Sequence, residues 1–90
     1  MEYYKKTLSP IEAERHFIYV TYSAREFFPP LGEVFNILIN EKEFRVQLDK
    51  QGRIWASSLQ NYITFEPWNI FVFTKIDKNK FKLVRAHYSS

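Results

Sequence analysis

Cysteine is absent from this 90-residue chain, so disulfides and thiolate metal sites are excluded. Glycine occurs only as Gly32 and Gly52. A phosphate-cradling loop needs several glycines in one turn, and glycines this far apart cannot build one. Histidine is equally scarce: His16 and His87 lie near opposite ends of the chain, and each reads as a strand-edge residue rather than a base or ligand. The acids do not gather into the paired cluster that metal-dependent phosphodiester chemistry requires. Ser57 and Ser58 have no partner base. No charged-then-apolar leader is present, nor a run of about 18 apolar residues that could span a bilayer. These absences lead to the expectation of a cytoplasmic, non-catalytic binding module with no membrane, metal or cofactor.

What is abundant is aromatic. Phe, Tyr and Trp make up 19% of the chain and hydrophobic residues 46%, enough for a packed core without staples. Aromatic side chains suit a pleated, half-buried surface, so the composition leans toward sheet. A net charge of +3 leans modestly toward anionic partners.

One small domain, residues 1–90, is expected, with no linker, repeat or low-complexity segment. Met1 to Leu8 reads as an arm or short edge strand. Ser9-Pro10-Ile11-Glu12 is a helix start: Ser9 caps, Pro10 suits the first helical position and Glu12 completes a capping box. Aromatic and β-branched residues beginning at Phe17 keep this helix short. His16 to Ser23 reads as a strand with apolar residues on both faces, as in a barrel wall. Pro29-Pro30 and Gly32 break the pattern. Glu33 to Asn40 and Glu43 to Asp49 read as a strand pair around Asn40-Glu41-Lys42. In the second of them Phe44, Val46 and Leu48 alternate with Arg45, Gln47 and Asp49, the cleanest period of two in the chain.

After a glycine turn, Ile54 to Ser57 continues as a strand. Leu59, Tyr62 and Ile63 lie at helical spacing, so Ser58 to Phe65 reads as a short helix. Glu66-Pro67-Trp68-Asn69 is a turn, with Trp68 expected to pack over the core. Ile70 to Ile76 and Phe81 to His87 form strands around Asp77-Lys78-Asn79-Lys80. The sum is a mainly β fold: a small open β-barrel of about six to seven strands with one or two short helices.

Two loops carry polar groups suited to recognition. In Ser23 to Leu31, Phe27 and Phe28 plug a barrel end, while Arg25 and Glu26 are expected to be exposed and available. Arginine can meet a guanine edge with two hydrogen bonds, and an acid can accept from cytosine. In the second loop, Asp49 to Trp55, Lys50, Gln51 and Arg53 stand around Gly52. This loop reads equally as an ordinary hairpin with solvated charges. The Lys78 to Lys82 tip is basic as well, but ordinary for a hairpin.

The order of these segments resembles the B3-type DNA-binding pseudobarrel family, closest to the DNA-recognition domains of bacterial restriction endonucleases. The resemblance runs from about His16 to Tyr88. It is carried by the Gly-Glu-Val strand entry, the Lys-Glu-Phe-Arg-Val hairpin partner, the Gly52-Arg53-Ile54 turn, the Leu59 to Phe65 segment, a Phe-Val-Phe strand and the closing Phe81-Lys82-Leu83 strand. In this family two arms grip the major groove of double-stranded DNA. The resemblance implies a first arm at Ser23 to Phe28 and a second at Lys50 to Trp55, extending toward Ser57. Arg25, Glu26, Gln51 and Arg53 become candidates for reading bases. Lys50, Ser57 and Ser58 become candidates for holding phosphates, and Ser23 and Trp55 complete the DNA-binding set. Residues 1–15 form an additional N-terminal arm and short helix, ahead of a pseudobarrel at 16–88. Pro67-Trp68-Asn69 stands where the family often has a Gly-Asp turn, and the first arm is shorter than in the plant members.

Two other readings use the same residues differently. A protein-interaction or recruiting domain would expose Trp55, Trp68 or the Tyr3-Tyr4 pair. A single-stranded nucleic-acid binder would use its aromatics as stacking platforms.

Overall fold

The capping box expected at Ser9 is formed. In the computed structural model, which describes residues 2–86, the Ser9 hydroxyl accepts from Glu12 N at 3.3 Å, and the Glu12 carboxylate accepts from Ser9 N at 2.9 Å. The helix α1 that follows, Pro10–Arg15, is short, as the aromatic residues after it require. His16 ends it in the left-handed conformation, φ 59°, with its ring edge against Phe65. It is thus a helix cap rather than a strand-edge residue. His87 and the end of its strand lie outside the described residues.

Seven strands are formed among the described residues: β1 (Tyr3–Thr7), β2 (Phe17–Tyr19), β3 (Phe35–Ile39), β4 (Lys42–Val46), β5 (Arg53–Trp55), β6 (Ile70–Asp77) and β7 (Lys80–Ala86). Five of them form one sheet in the order β1-β6-β7-β3-β4, and β2 pairs with β5 in a second. Every pairing is antiparallel except β3 with β7, which places Ile37 beside Phe81. The expected small open β architecture is present, with its two sheets left unclosed.

Period-two alternation sends one side of each strand inward. Phe35, Ile37 and Ile39 of β3, Phe71 and Phe73 of β6, and Phe81 and Leu83 of β7 meet Ile18, Val20, Ile54, Ala56, Leu48 and Leu59 from the other side of a single core. Burial of each such side chain stabilises by roughly 1.5–3 kcal/mol. Phe28 plugs this core as expected, with its ring 5.0–5.8 Å from those of Tyr4, Phe27, Phe35, Phe73 and Phe81. The N-terminal segment is built into the architecture. Tyr3 to Thr7 pairs residue by residue with Thr74 to Ile70, and Tyr4 packs against the core.

Three local expectations are corrected. The strand at 16–23 stops at Tyr19, and Tyr22–Phe27 forms a 3-10 helix. The partner strand explains this: β5 begins only at Arg53, after the Gly52 turn, so Tyr19 is the last residue with a partner. Ser58 to Phe65 forms successive turns rather than a helix, held by bonds from Leu59 N and Gln60 N to Ala56 O and from Tyr62 N and Ile63 N to Leu59 O. Tyr62, Ile63, Thr64 and Phe65 are weak helix formers, and Leu59, Ile63 and Phe65 gain more by packing on the core. Trp68 does not cover the core; it is 65% exposed at φ 70°. Its backbone N–H is fixed to Leu8 O at 2.9 Å while Leu8 N–H bonds Asn69 O, so the turn docks through its main chain and the indole faces outward.

Among the described residues no helix is long and apolar enough to cross a membrane.

Candidate nucleic-acid interface

The turn between β4 and β5 is organised by one carboxylate. Asp49 Oδ1 accepts from Gln51 N and from Arg53 N, both at 2.9 Å. Its Oδ2 accepts from Arg53 Nε at 3.1 Å and from the Trp55 indole N–H at 2.9 Å. An aspartate that bonds the backbone two residues on is a common way to initiate a turn. Gly52 closes this one at φ 81°, with its N–H on Asp49 O at 2.9 Å. Desolvation by itself raises the Asp49 pKa. The bonds from Arg53, Trp55 and Gln51 outweigh that and hold it down to about 2. The carboxylate is therefore ionised throughout the neutral range.

Strand register then aligns the outer face of the small sheet. Phe17 sits opposite Trp55, and Tyr19 opposite Arg53. Ile18 and Ile54, one residue out of phase, point into the core. The Arg53 guanidinium lies 4.8 Å from the Trp55 ring and 5.7 Å from that of Phe17. Such a cation over an aromatic face contributes about 0.5–1 kcal/mol when exposed. Arg53 also lines an open groove of about 470 Å³ together with Phe17, Tyr19, Gln51, Lys6 and Ile11.

The expected arms meet. Arg25, on the 3-10 helix, donates from Nε to Val20 O at 3.3 Å and from Nη2 to Gln51 O at 3.0 Å. Its guanidinium also lies 5.5 Å from the Tyr22 ring and 6.0 Å from that of Tyr19. The expectation that Arg25 is exposed and available is corrected: it is half-buried, and its Nε and Nη2 donate to the main chain of Val20 and Gln51. A second bond, from Val20 N to Gly52 O at 2.8 Å, ties the same two segments.

The other sequence candidates divide by exposure. Ser23, Glu26, Lys50, Gln51, Trp55, Ser57 and Ser58 are exposed; Arg53 is half-buried. Ser23, Arg25 and Glu26 lie on the 3-10 helix, Lys50 to Trp55 on the turn and β5, and Ser57 and Ser58 on the turns that follow. At the basic hairpin tip, Lys80 is paired with Glu43 at 2.7 Å, which offsets its charge locally.

Residue-type reasoning missed Asp49, Tyr19 and Tyr22 as members of this surface. Asp49 was detectable as the aspartate three residues before a turn glycine. Tyr22 is 83% exposed, and nothing in its sequence context distinguishes it from a strand tyrosine. Behind the surface, Glu12 is only 2% exposed. Its Oε2 accepts from Tyr19 N at 2.7 Å, and its Oε1 pairs with Lys6 Nζ at 3.2 Å.

Neither the family models nor the curated proteins contain a match to this chain. Among solved structures, the chain is similar to the N-terminal domain of Helicobacter pylori LlaJI.R1, with a TM-score of 0.68 over 92% of this chain and 85% of that one. The two share 12% of their residues, so the likeness establishes a common fold.

Proposed function

We propose that this chain is a non-catalytic module of the B3-type pseudobarrel class that binds double-stranded DNA, meeting the major groove with residues 23–28 and 50–55. The observation that carries the reading is the Arg25 cross-link to Gln51 O, which joins the two loops into one surface. That surface presents Lys50, Gln51 and Arg53 beside the exposed Tyr22 and Trp55. Lysine and serine there hold phosphates and set register, while Gln51 and Arg53 reach base edges. The fold shared with the N-terminal domain of LlaJI.R1, a protein with a restriction-system name, supports the same direction.

A fluorescence anisotropy titration with a random-sequence duplex at several salt concentrations tests it. Affinity should fall as salt rises, because each phosphate contact releases condensed counterions. Affinity that ignores salt overturns the reading. An unlabelled single strand that competes as well as duplex would favour stacking on the aromatics instead.

A recruiting role for another protein is the second reading. It rests on Trp68 and Tyr3, which stand 65% and 63% exposed. Complete absence of duplex binding at low salt would leave this reading in place of the first.

A further inference from the structure

We propose that Asp49 is a positioning residue that presents Arg53 to guanine, and so sets a base preference for this interface; the inference rests on the duplex-binding reading. Of the two loop arginines, Arg25 has its Nε and Nη2 committed to main-chain carbonyls. Arg53 is held differently. Asp49 takes its Nε–H and its backbone N–H, and among the described residues no acceptor engages its Nη atoms. The guanidinium is further confined by Trp55 at 4.8 Å and Phe17 at 5.7 Å, and the Trp55 indole is itself anchored on the same Asp49 oxygen. A planar fork held at its Nε and set beside two rings has little freedom to turn, and its Nη–H groups are left unengaged among the described residues.

That geometry selects among ligands. Guanine offers two adjacent acceptors, O6 and N7, in the plane of the base. Adenine offers one acceptor beside an amino donor, and cytosine an amino donor, so neither matches a fork that only donates. A phosphate accepts donors from many directions and gains little from a fixed plane. Restricting the arginine before binding also lowers the side-chain entropy lost on association. Lys50, a point charge on a flexible stem, lacks this fixed planar fork and selects less sharply.

The test begins with the whole chain and a randomised duplex pool carried through rounds of selection. The enriched duplex should contain a guanine that Arg53 reads. Replacing that guanine by 7-deazaguanine, which lacks the N7 acceptor, should weaken wild-type binding about tenfold, within the range of a lost bidentate contact. The same replacement should change binding by Arg53→Lys little. Asp49→Asn should lose most of the guanine preference, and Asp49→Glu should recover part of it. Thermal unfolding of each variant checks that the turn survives. Should Asp49→Asn unfold the chain, Trp55→Phe removes one anchor and should reduce the preference more modestly. An equal loss on every duplex would make Arg53 a phosphate contact and overturn the inference. So would a guanine preference untouched by both Arg53→Lys and Asp49→Asn. Salt-dependent binding without either effect leaves the DNA reading standing and removes only the role of Asp49.

Discussion

The Arg25 guanidinium occupies the space in which a side chain at Gly52 would begin: a β-carbon there would lie 2.6 Å from Arg25 Cζ. The glycine thus leaves room for the Arg25 head group to lie over the tip of the other loop.

Gly52→Ala should accordingly destabilise on two grounds. A non-glycine residue at φ 81° is strained, and the new methyl displaces Arg25 from Gln51 O. Together these should cost at least about 2 kcal/mol, measured by urea denaturation. Arg25→Ala relieves the collision, so the double variant should be more stable than the sum of the single losses predicts.

Asp49 makes stability depend on acid. Its folded pKa of about 2 lies below the ordinary 3.8, so its contribution is fully present above roughly pH 4 and is lost as the pH falls through 2. Unfolding midpoints measured across that window should drop for the wild-type chain and drop less for Asp49→Asn. Identical slopes in the two proteins would mean that the hydrogen bonds on this carboxylate do not favour its ionised form.

Glu12 joins three elements through one buried carboxylate: Lys6 of β1, the Ser9 cap of α1 and the Tyr19 amide of β2. Glu12→Ala removes the carboxylate half of the capping box, leaves the Ser9 and Tyr19 N–H groups without their acceptor and abandons a Lys6 side chain that is only 13% exposed. The loss should be about 3–5 kcal/mol by chemical denaturation, as for breaking a buried ion pair. Glu12→Gln keeps one acceptor oxygen and should cost visibly less.

Lys50 is exposed at the turn tip and is in no ion pair among the described residues. In the proposed complex Lys50→Ala should weaken binding to all duplexes alike and reduce the salt slope by about 1, the signature of a lost phosphate contact. A slope that does not change would place Lys50 off the DNA.

Much of the fold is legible from local chemistry. The Ser9 capping box, the Asn40 and Asp77 hairpins and the inward turn of Val46 and Leu48 depend on neighbouring residues and are formed, although the strand expected over 43–49 is Lys42–Val46 and Leu48 is reached only through an isolated bridge to Ile54. What is not legible depends on distant partners. Whether Tyr22 continues a strand is decided by where β5 begins, some thirty residues later in the chain. The orientation of Trp68 is decided by backbone bonds to Leu8. The candidate surface divides in the same way. Its basic turn is visible from Lys50, Gln51 and Arg53, but the internal employment of Arg25 is not, because the carbonyl it satisfies belongs to residue 51.

The parallel pairing of β3 with β7 has a consequence for the order of assembly. Among the described strands β7 is synthesised after all the others, yet it stands at the centre of its sheet, between β6 and β3. The β3–β4 hairpin can close as soon as its residues exist, but until residues 80–86 arrive it has nothing to join. Loop-closure entropy must be met across nearly half the chain, from Asn36 to Lys80, before the central contacts repay it. A nascent chain carrying everything through β6 would therefore display Phe35, Ile37 and Phe73 without their cover. Its most vulnerable moment on the ribosome comes just before β7 emerges.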